Sequence, residues 1–363
     1  MATPASPPKR RLSWRQKLLL ATLPVTLLFA LGEWFARSYR TRQGYPPQPG
    51  HSYRDQRIDL IRRAFPTVHD DVLGYRPQPG FHGTENVWHT LVTIDADGLR
   101  SNGADAARFA GPPVLAVGDS FTFGDQVSDQ ETWPAQLEQR LSRPVRNGGV
   151  FGYGFDQTVL RAERLLDTIA ADTVVCSLIP DDLKRCELSR RFSPKPWFAI
   201  IGDGIELRGV PVEDTSVDNE LDKQWLRRTL GHSALLDMVF WNACRTWWVG
   251  TEREVREHPP GTGLTIGMKL LERLATKCRE RGARLLLVLQ GPEPEMTAGE
   301  PVRAPELLAY GRTIGVDVLD LATRFRDLAD RDHTLDREYF HGHMTAAGNR
   351  WVAEQIAAEL RAW

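Results

Sequence analysis

Short runs of consecutive apolar residues alternate along this chain with longer stretches whose apolar positions recur every three or four residues. Val114–Val117, Val145-Arg-Asn147, Thr173–Ile179, Ala283–Gln290 and Val316-Asp-Val-Leu319 have the length and composition of buried strands. Thr132–Leu141, with Trp133, Leu137 and Leu141 on one face, and Gln157–Ile169, Thr265–Arg281 and Ala346–Leu360 have helical spacing. Strands alternating with helices predict an α/β fold, a doubly wound parallel sheet with right-handed crossovers. Sites in such sheets gather at the carboxyl ends of strands, where Ser120, Gly152 and Asp181 all fall.

Two regions depart from this alternation. At the amino end, an apolar run from Leu18 to Leu31 extends to Ala36 if Glu33 sits at an interface. That is about nineteen residues, close to the roughly 20 that span a bilayer. Lys9, Arg10, Arg11, Arg15 and Lys17 precede it, which predicts a cytoplasmic amino terminus and an exported remainder. Arg37, Arg40 and Arg42 on the far side weaken that asymmetry. A cleaved signal peptide is the competing reading, through Ala30-Leu31-Gly32. Trp34 and Phe35 continue the apolar run and suit a membrane interface, which favours an uncleaved anchor. The second region is a long excursion, residues 184–263, between the third and fourth strands. Trp197–Ile201 and Ile205–Arg208 read as a hairpin turning at Asp203-Gly204. Leu235–Val249 reads as a helix carrying Phe240, Trp241, Trp247 and Trp248, a cover packed on the sheet or else a lid facing an acyl substrate or a membrane.

The expected organisation is therefore a basic tail (1–17), a signal anchor (18–36), a linker with a small β-rich preface (37–110) and the α/β domain (111–363). Within the linker, Thr41–Gly50 is rich in Pro, Gly and Gln, and His89–Ile94 alternates as a strand. A net charge of −1 supplies no basic field for nucleic acid. The four cysteines form no metal-ligand spacing, and Cys176 lies within an apolar strand as a small hydrophobe.

The chemistry concentrates at Gly118-Asp-Ser-Phe-Thr-Phe-Gly124. Alone, Ser120 is equally a nucleophile at a strand end or a helix cap. A glycine-dense loop (Asn147-Gly-Gly-Val-Phe-Gly152), Ile179-Pro-Asp-Asp182 and His341-Gly-His-Met-Thr-Ala-Ala-Gly348 follow in order. Together these four blocks resemble the SGNH/GDSL hydrolases over about Val114–Leu360. Gly74-Tyr-Arg-Pro-Gln-Pro-Gly80 and Asp97-Gly-Leu-Arg100 resemble membrane-anchored members of that family. The resemblance implies a flavodoxin-like sheet, Ser120 as nucleophile, His343 as general base, and the amides of Ser120 and Gly152 as an oxyanion hole. It implies an acyl-ester small molecule or glycan as substrate and no metal or organic cofactor. A hydroxyl needs an adjacent base to attack at neutral pH, and an oxyanion needs preorganised donors, so these residue types fit acyl chemistry. His343 on its own would serve equally as a cap for the closing helix.

Two positions depart from the family. Asp181 stands where an asparagine amide usually donates to the oxyanion, and an ionised carboxylate only accepts. The aspartate that usually orients the histidine is replaced at Phe340 and His341. Asp336 and Glu338 lie nearby at the wrong spacing, so a Ser–His dyad oriented by a backbone carbonyl is the simpler expectation. Three functions stay open: an esterase or O-deacetylase of an exported or envelope substrate, an O-acyltransferase, and a non-catalytic binding module.

Overall fold

The computed structural model describes residues 13–43, 47, 50–62, 66–85, 88–103, 109–214, 225–250, 254–291 and 303–363. Lys9, Arg10, Arg11 and most of residues 44–49 in the expected linker lie outside them. In chain order the first elements are helices α1 (Trp14–Arg42) and α2 (Tyr53–Arg62), then strands β1 (Thr67–Asp70), β2 (Gly74–Pro77), β3 (His82–Thr84) and β4 (Leu91–Thr93). There follow β5 (Val114–Val117), α3 (Ser120–Phe123), α4 (Trp133–Leu141), β6 (Val145–Asn147), α5 (Phe155–Leu166), β7 (Thr173–Leu178) and α6 (Pro180–Arg185). The excursion contains β8 (Leu188–Arg191), β9 (Ser193–Pro194), β10 (Trp197–Ile201), β11 (Gly204–Arg208), α7 (Trp225–Leu230), α8 (Ala234–Ala243), α9 (Arg245–Val249) and β12 (Glu254–Arg256). The chain closes with α10 (Thr262–Glu280), β13 (Arg284–Leu289), α11 (Ala304–Thr313), β14 (Asp317–Asp320), α12 (Leu321–Ala329), α13 (Leu335–Tyr339), β15 (Phe340–His341), β16 (His343–Met344) and α14 (Ala346–Arg361).

These elements form two compact units, Met1–Leu60 with Asn219–Thr251 and Ile61–Asp218 with Glu252–Trp363. The larger is built on a five-stranded sheet in the order β14-β13-β7-β5-β6, with every neighbouring pair parallel. Numbered along the chain, that order is 2-1-3-4-5, the flavodoxin-like doubly wound arrangement expected above. Alternate residues of each strand serve opposite faces. Leu115, Val117, Val174, Cys176, Leu285 and Leu287 pack with α5, α10 and α11, while Val114, Ala116, Val175, Leu286 and Val288 pack with α4, α12 and α14. Both faces are covered, which is why the strands read as unbroken apolar runs. The order reverses between β5 and β7, so the crevice where such folds bind ligands opens at their carboxyl ends. The β-rich preface is two antiparallel hairpins, β1–β2 and β3–β4.

In the excursion, β10 and β11 pair as the expected hairpin, with Ile201 opposite Gly204. The two-residue loop is thus Gly202-Asp203 and not Asp203-Gly204, and Gly202 adopts the positive φ of 55° that its first position requires.

The smaller unit corrects the expectation for Leu235–Val249. The stretch is two helices, α8 and α9, separated at Cys244, and they belong to the same unit as α1 and α2 instead of covering the sheet. α1 also runs beyond Ala36 to Arg42. Its most apolar 18-residue window has a mean hydropathy of 1.8 and no part buried, so it is long and apolar enough to cross a membrane.

Candidate active site

β5 delivers Ser120 to the crevice through a turn that only small residues permit. A Cβ on Gly118 would sit 2.2 Å from Thr122 Oγ1 and 2.8 Å from the Ser177 carbonyl oxygen. Asp119 then caps α3, its carboxylate accepting from the Phe121 amide at 3.0 Å. Ser120 is therefore the first helical residue and not the cap. Its hydroxyl lies 3.0 Å from His343 Nε2 and 3.3 Å from Asp119 Oδ2.

His343 arrives on β16, just before α14. The cap of α14 is Thr345, whose hydroxyl accepts from the Gly348 amide, so the imidazole is not needed for capping. Gln126 Oε1 accepts from the His343 amide at 2.9 Å, and the ring is bracketed by Phe121 and the edge-on indole of Trp88. Burial, followed by the nearby charges of Arg185 and Arg191, pushes the imidazole down to about 4. It is accordingly neutral at neutral pH, and its Nε2 is free to accept the serine proton.

The amides of Ser120 and Gly152, residues that follow β5 and β6, donate to no acceptor among the described residues. Gly152 holds φ at +73°, and a Cβ there would lie 2.9 Å from the Tyr75 hydroxyl oxygen. That hydroxyl donates to the Phe151 carbonyl at 2.7 Å. Phe151 C=O and Gly152 N–H are opposite ends of one planar peptide, so the Tyr75 bond fixes the direction of the Gly152 N–H. Burial raises the Tyr75 phenol to about 12, despite Arg191 and Arg185, and keeps it a neutral donor.

Asp181 follows β7, as expected, but offers no donor. Its carboxylate accepts from Arg185 Nε at 2.9 Å and faces Arg191 Nη2 at 3.4 Å. Burial would raise its pKa, but the two guanidinium groups outweigh it and hold Asp181 below the ordinary carboxylate range. The protonated form that could have donated is thus disfavoured. Arg191 also donates through Nη1 to the Gly152 carbonyl at 3.2 Å, which brings a cation to this edge of the crevice. Asp182 instead caps α6, accepting from the Ile179 amide. Asn147 accepts from the Gly149 amide, and its buried Nδ2 has no partner among the described residues.

The orienting acid is not where it was sought. Asp336 and Glu338 are exposed on α13, and no bond joins either to His343, because α13 turns both outward before β15 begins. His341 lies in β15, with its side chain outside the described residues. The carboxyl beside the imidazole belongs to Asp125, which is 3% exposed and places Oδ2 3.6 Å from Nε2. No partner among the described residues reaches His343 Nδ1 or Asp125 Oδ1. Burial, then the neighbouring Asp119, pushes the Asp125 carboxyl well up, against the pull of Arg100. The one sequence signal for Asp125 was its place directly after Gly124 in the first block.

Among the described residues no group of three or more His, Cys, Asp or Glu side chains could hold a metal ion. No family model and no curated protein matches the chain. Several solved structures are similar to it at low identity. A catalytic mutant of Axe2, an acetylxylan esterase from Geobacillus stearothermophilus, is 13% identical with a TM-score of 0.40, over 69% of this chain and 95% of that one. LAE5, an α/β hydrolase from the metagenome of Lake Arreo, Spain, is 14% identical with a TM-score of 0.40, over 70% and 97%. AlinE4, an SGNH-hydrolase family esterase, is 17% identical with a TM-score of 0.35, over 70% and 95%. Likeness this distant says nothing of activity, which has to be read from the side chains.

Proposed function

We propose that this chain is a membrane-anchored serine esterase of the SGNH/GDSL type that removes acyl groups from an exported small molecule or glycan. One observation carries the reading: a serine hydroxyl at a strand end, 3.0 Å from a neutral imidazole, with the amides of Ser120 and Gly152 donating to no acceptor among the described residues. A non-catalytic binding module has no use for that combination.

In this mechanism Ser120 Oγ attacks the acyl carbonyl while its proton passes to His343 Nε2. The Ser120 and Gly152 amides receive the developing oxyanion, and preorganised donors of this kind are each worth roughly 10²–10³ in kcat. Arg191 contributes a positive field at the place of the family's asparagine, offsetting Asp181. As the C–O bond of the tetrahedral intermediate breaks, His343 returns the proton to the leaving alcohol. A water molecule, deprotonated by the same nitrogen, then attacks the acyl carbon, and as the acyl bond to Ser120 Oγ breaks that oxygen takes the proton back from His343 and the acid leaves. Asp125 stands beside Nε2, the nitrogen that becomes charged, and not beside Nδ1 as in a Ser-His-Asp triad. Burial pushes it towards the neutral acid, so it assists the imidazolium only in so far as it is ionised, and Phe121 and Trp88 hold the ring. The helix α1 would act as the anchor, with the larger unit on the side opposite the basic amino-terminal tail.

A fluorophosphonate probe tests the central claim. The full chain should be labelled and should turn over p-nitrophenyl acetate, and both should vanish in Ser120→Ala. Folded protein that neither labels nor turns over would remove the esterase reading. Release of free acid, in the presence of an acceptor glycan, distinguishes hydrolysis from acyl transfer.

A further inference from the structure

The excursion's helices α7, α8 and α9 play no part in that chemistry, yet their surface is unusual for a water-facing one. Trp225 is 73% exposed, and Leu226, Val239 and Trp247 are each more than 40% exposed. Arginines stand among them: Arg227 lies over the Trp247 ring, and Arg57 and Arg245 lie over the Trp241 ring at 4.5 Å each. Exposed tryptophan interleaved with arginine is the composition of a headgroup layer, where indoles meet the acyl boundary and guanidinium groups meet phosphates.

The attachment of α8 to α1 sets its height. Gly32 leaves room for Leu235, since a Cβ there would sit 2.8 Å from its Cδ2. The Glu33 carboxylate accepts from the Ala234 and Leu235 amides at 3.0 Å each and from the Ser233 hydroxyl at 2.7 Å, so it caps α8. One turn further on, Arg40 bonds Asp237 at 2.6 Å, and Asp237 also accepts from Arg57 and from the Trp248 indole. From Lys17 to Glu33, at about 1.5 Å per residue, α1 rises roughly 24 Å. That falls just short of the ~30 Å hydrocarbon thickness, so the start of α8 meets the outer edge of the apolar layer. Trp34 and Phe35 of α1 are exposed at the same level.

We infer that α7, α8 and α9 form a basic-aromatic platform seated in the headgroup layer of an anionic phospholipid bilayer, clamped to the anchor through Glu33 and Asp237. This rests on α1 being a membrane span. The occupant is lipid because the platform is continuous with the apolar helix, and because Arg227, Arg228 and Arg245, which pair with no carboxylate among the described residues, match phosphate.

The test uses the full chain in nanodiscs of mixed phosphatidylglycerol and phosphatidylcholine carrying bromine near the headgroup end of the acyl chains. Quenching of tryptophan fluorescence is compared in the parent chain, Trp34→Phe, and the Trp225→Phe/Trp247→Phe pair. All three substitutions replace an exposed indole with a phenyl ring and remove its fluorescence, and far-UV circular dichroism checks the fold. Each variant should lose part of the bromine-dependent quenching, and zwitterionic discs should weaken only the part due to Trp225 and Trp247. Quenching that depends on Trp34 but not on the pair would overturn the platform and leave the span standing. Quenching that depends on neither would overturn both. Shielding of the pair from aqueous iodide only when another protein is present would replace the lipid with a protein partner.

Discussion

At Asp125 and His343 a single contact decides how strong a base the site can field. An ionised carboxylate 3.6 Å from a full imidazolium would contribute at most about 5 kcal/mol at an effective dielectric of 20. Burial drives Asp125 towards its neutral form, so the realised effect is smaller. Asp125→Asn is expected to lower kcat by roughly 10²-fold with little change in KM, well short of the ~10⁴ lost when a triad aspartate is removed. Steady-state kinetics on the purified variant check this. The pH dependence follows from burial and from Arg185 and Arg191. His343 must be unprotonated to act, so activity is present above its pKa and lost as pH falls through it. With the imidazole pushed down to about 4, kcat/KM should hold its plateau below pH 6, where an ordinary histidine would already be failing. Arg191→Gln removes one of the cations responsible. The acid limb should then move upward towards the ordinary value, and kcat should fall by about tenfold for the lost field at the oxyanion. An unchanged limb would show that burial and Arg185 set the imidazole without Arg191. Asp181→Asn, by contrast, should alter activity little, because Asp181 is already neutralised by two guanidinium groups and is a third exposed.

Between elements, the consequential link runs from the preface to the glycine loop after β6. Tyr75 on β2 reaches the Phe151 carbonyl, and Tyr153 returns a bond to the Tyr75 carbonyl. The Phe151–Gly152 peptide and the side chain of Tyr153, the next residue, are thereby tied to a hairpin outside the sheet. Tyr75→Phe removes one buried hydrogen bond worth about 0.5–1.5 kcal/mol, so kcat should fall up to about tenfold with KM held. Gly152→Ala should be far more damaging, by roughly 10²-fold or more, since it adds strain at φ +73° and a methyl against Tyr75. Both partners lie in blocks singled out in the sequence, but the link between them was not legible there, since Tyr75 lies 76 positions from Phe151 and belongs to a different kind of element. The strands were legible, because strands covered on both faces are plain apolar runs, whereas their flavodoxin-like order was implied by the family resemblance. Ser120, Gly152 and His343 could be singled out because each sits in a block with its own local pattern. Asp125 could not, since its carboxyl acts on a residue from the far end of the chain. Helices α11, α12 and α13 were missed, although α12 buries Leu321, Ala322, Phe325 and Ala329 along one face.

Over the whole molecule, the chain divides into a unit that carries the proposed active site and a unit built on α1, and the aromatic run Leu235–Val249 belongs to the second. Periodicity announced that this run needed covering without revealing by what. The answer depends on Asp237, a carboxylate with no exposed side-chain surface, held by Arg40, Arg57 and the Trp248 indole. Removing one partner from such a buried cluster typically costs about 3–5 kcal/mol, because the remaining charges lose their compensation. Asp237→Ala is therefore expected to loosen α8 and α9 from α1, and limited proteolysis should find new cleavage within residues 234–249. The five-stranded sheet draws none of its core from that cluster. Fluorophosphonate labelling of Ser120 in the same variant should consequently proceed at the parent rate. If labelling collapses along with protease resistance, the two units fold as one, and the excursion supports the crevice as well as the anchor.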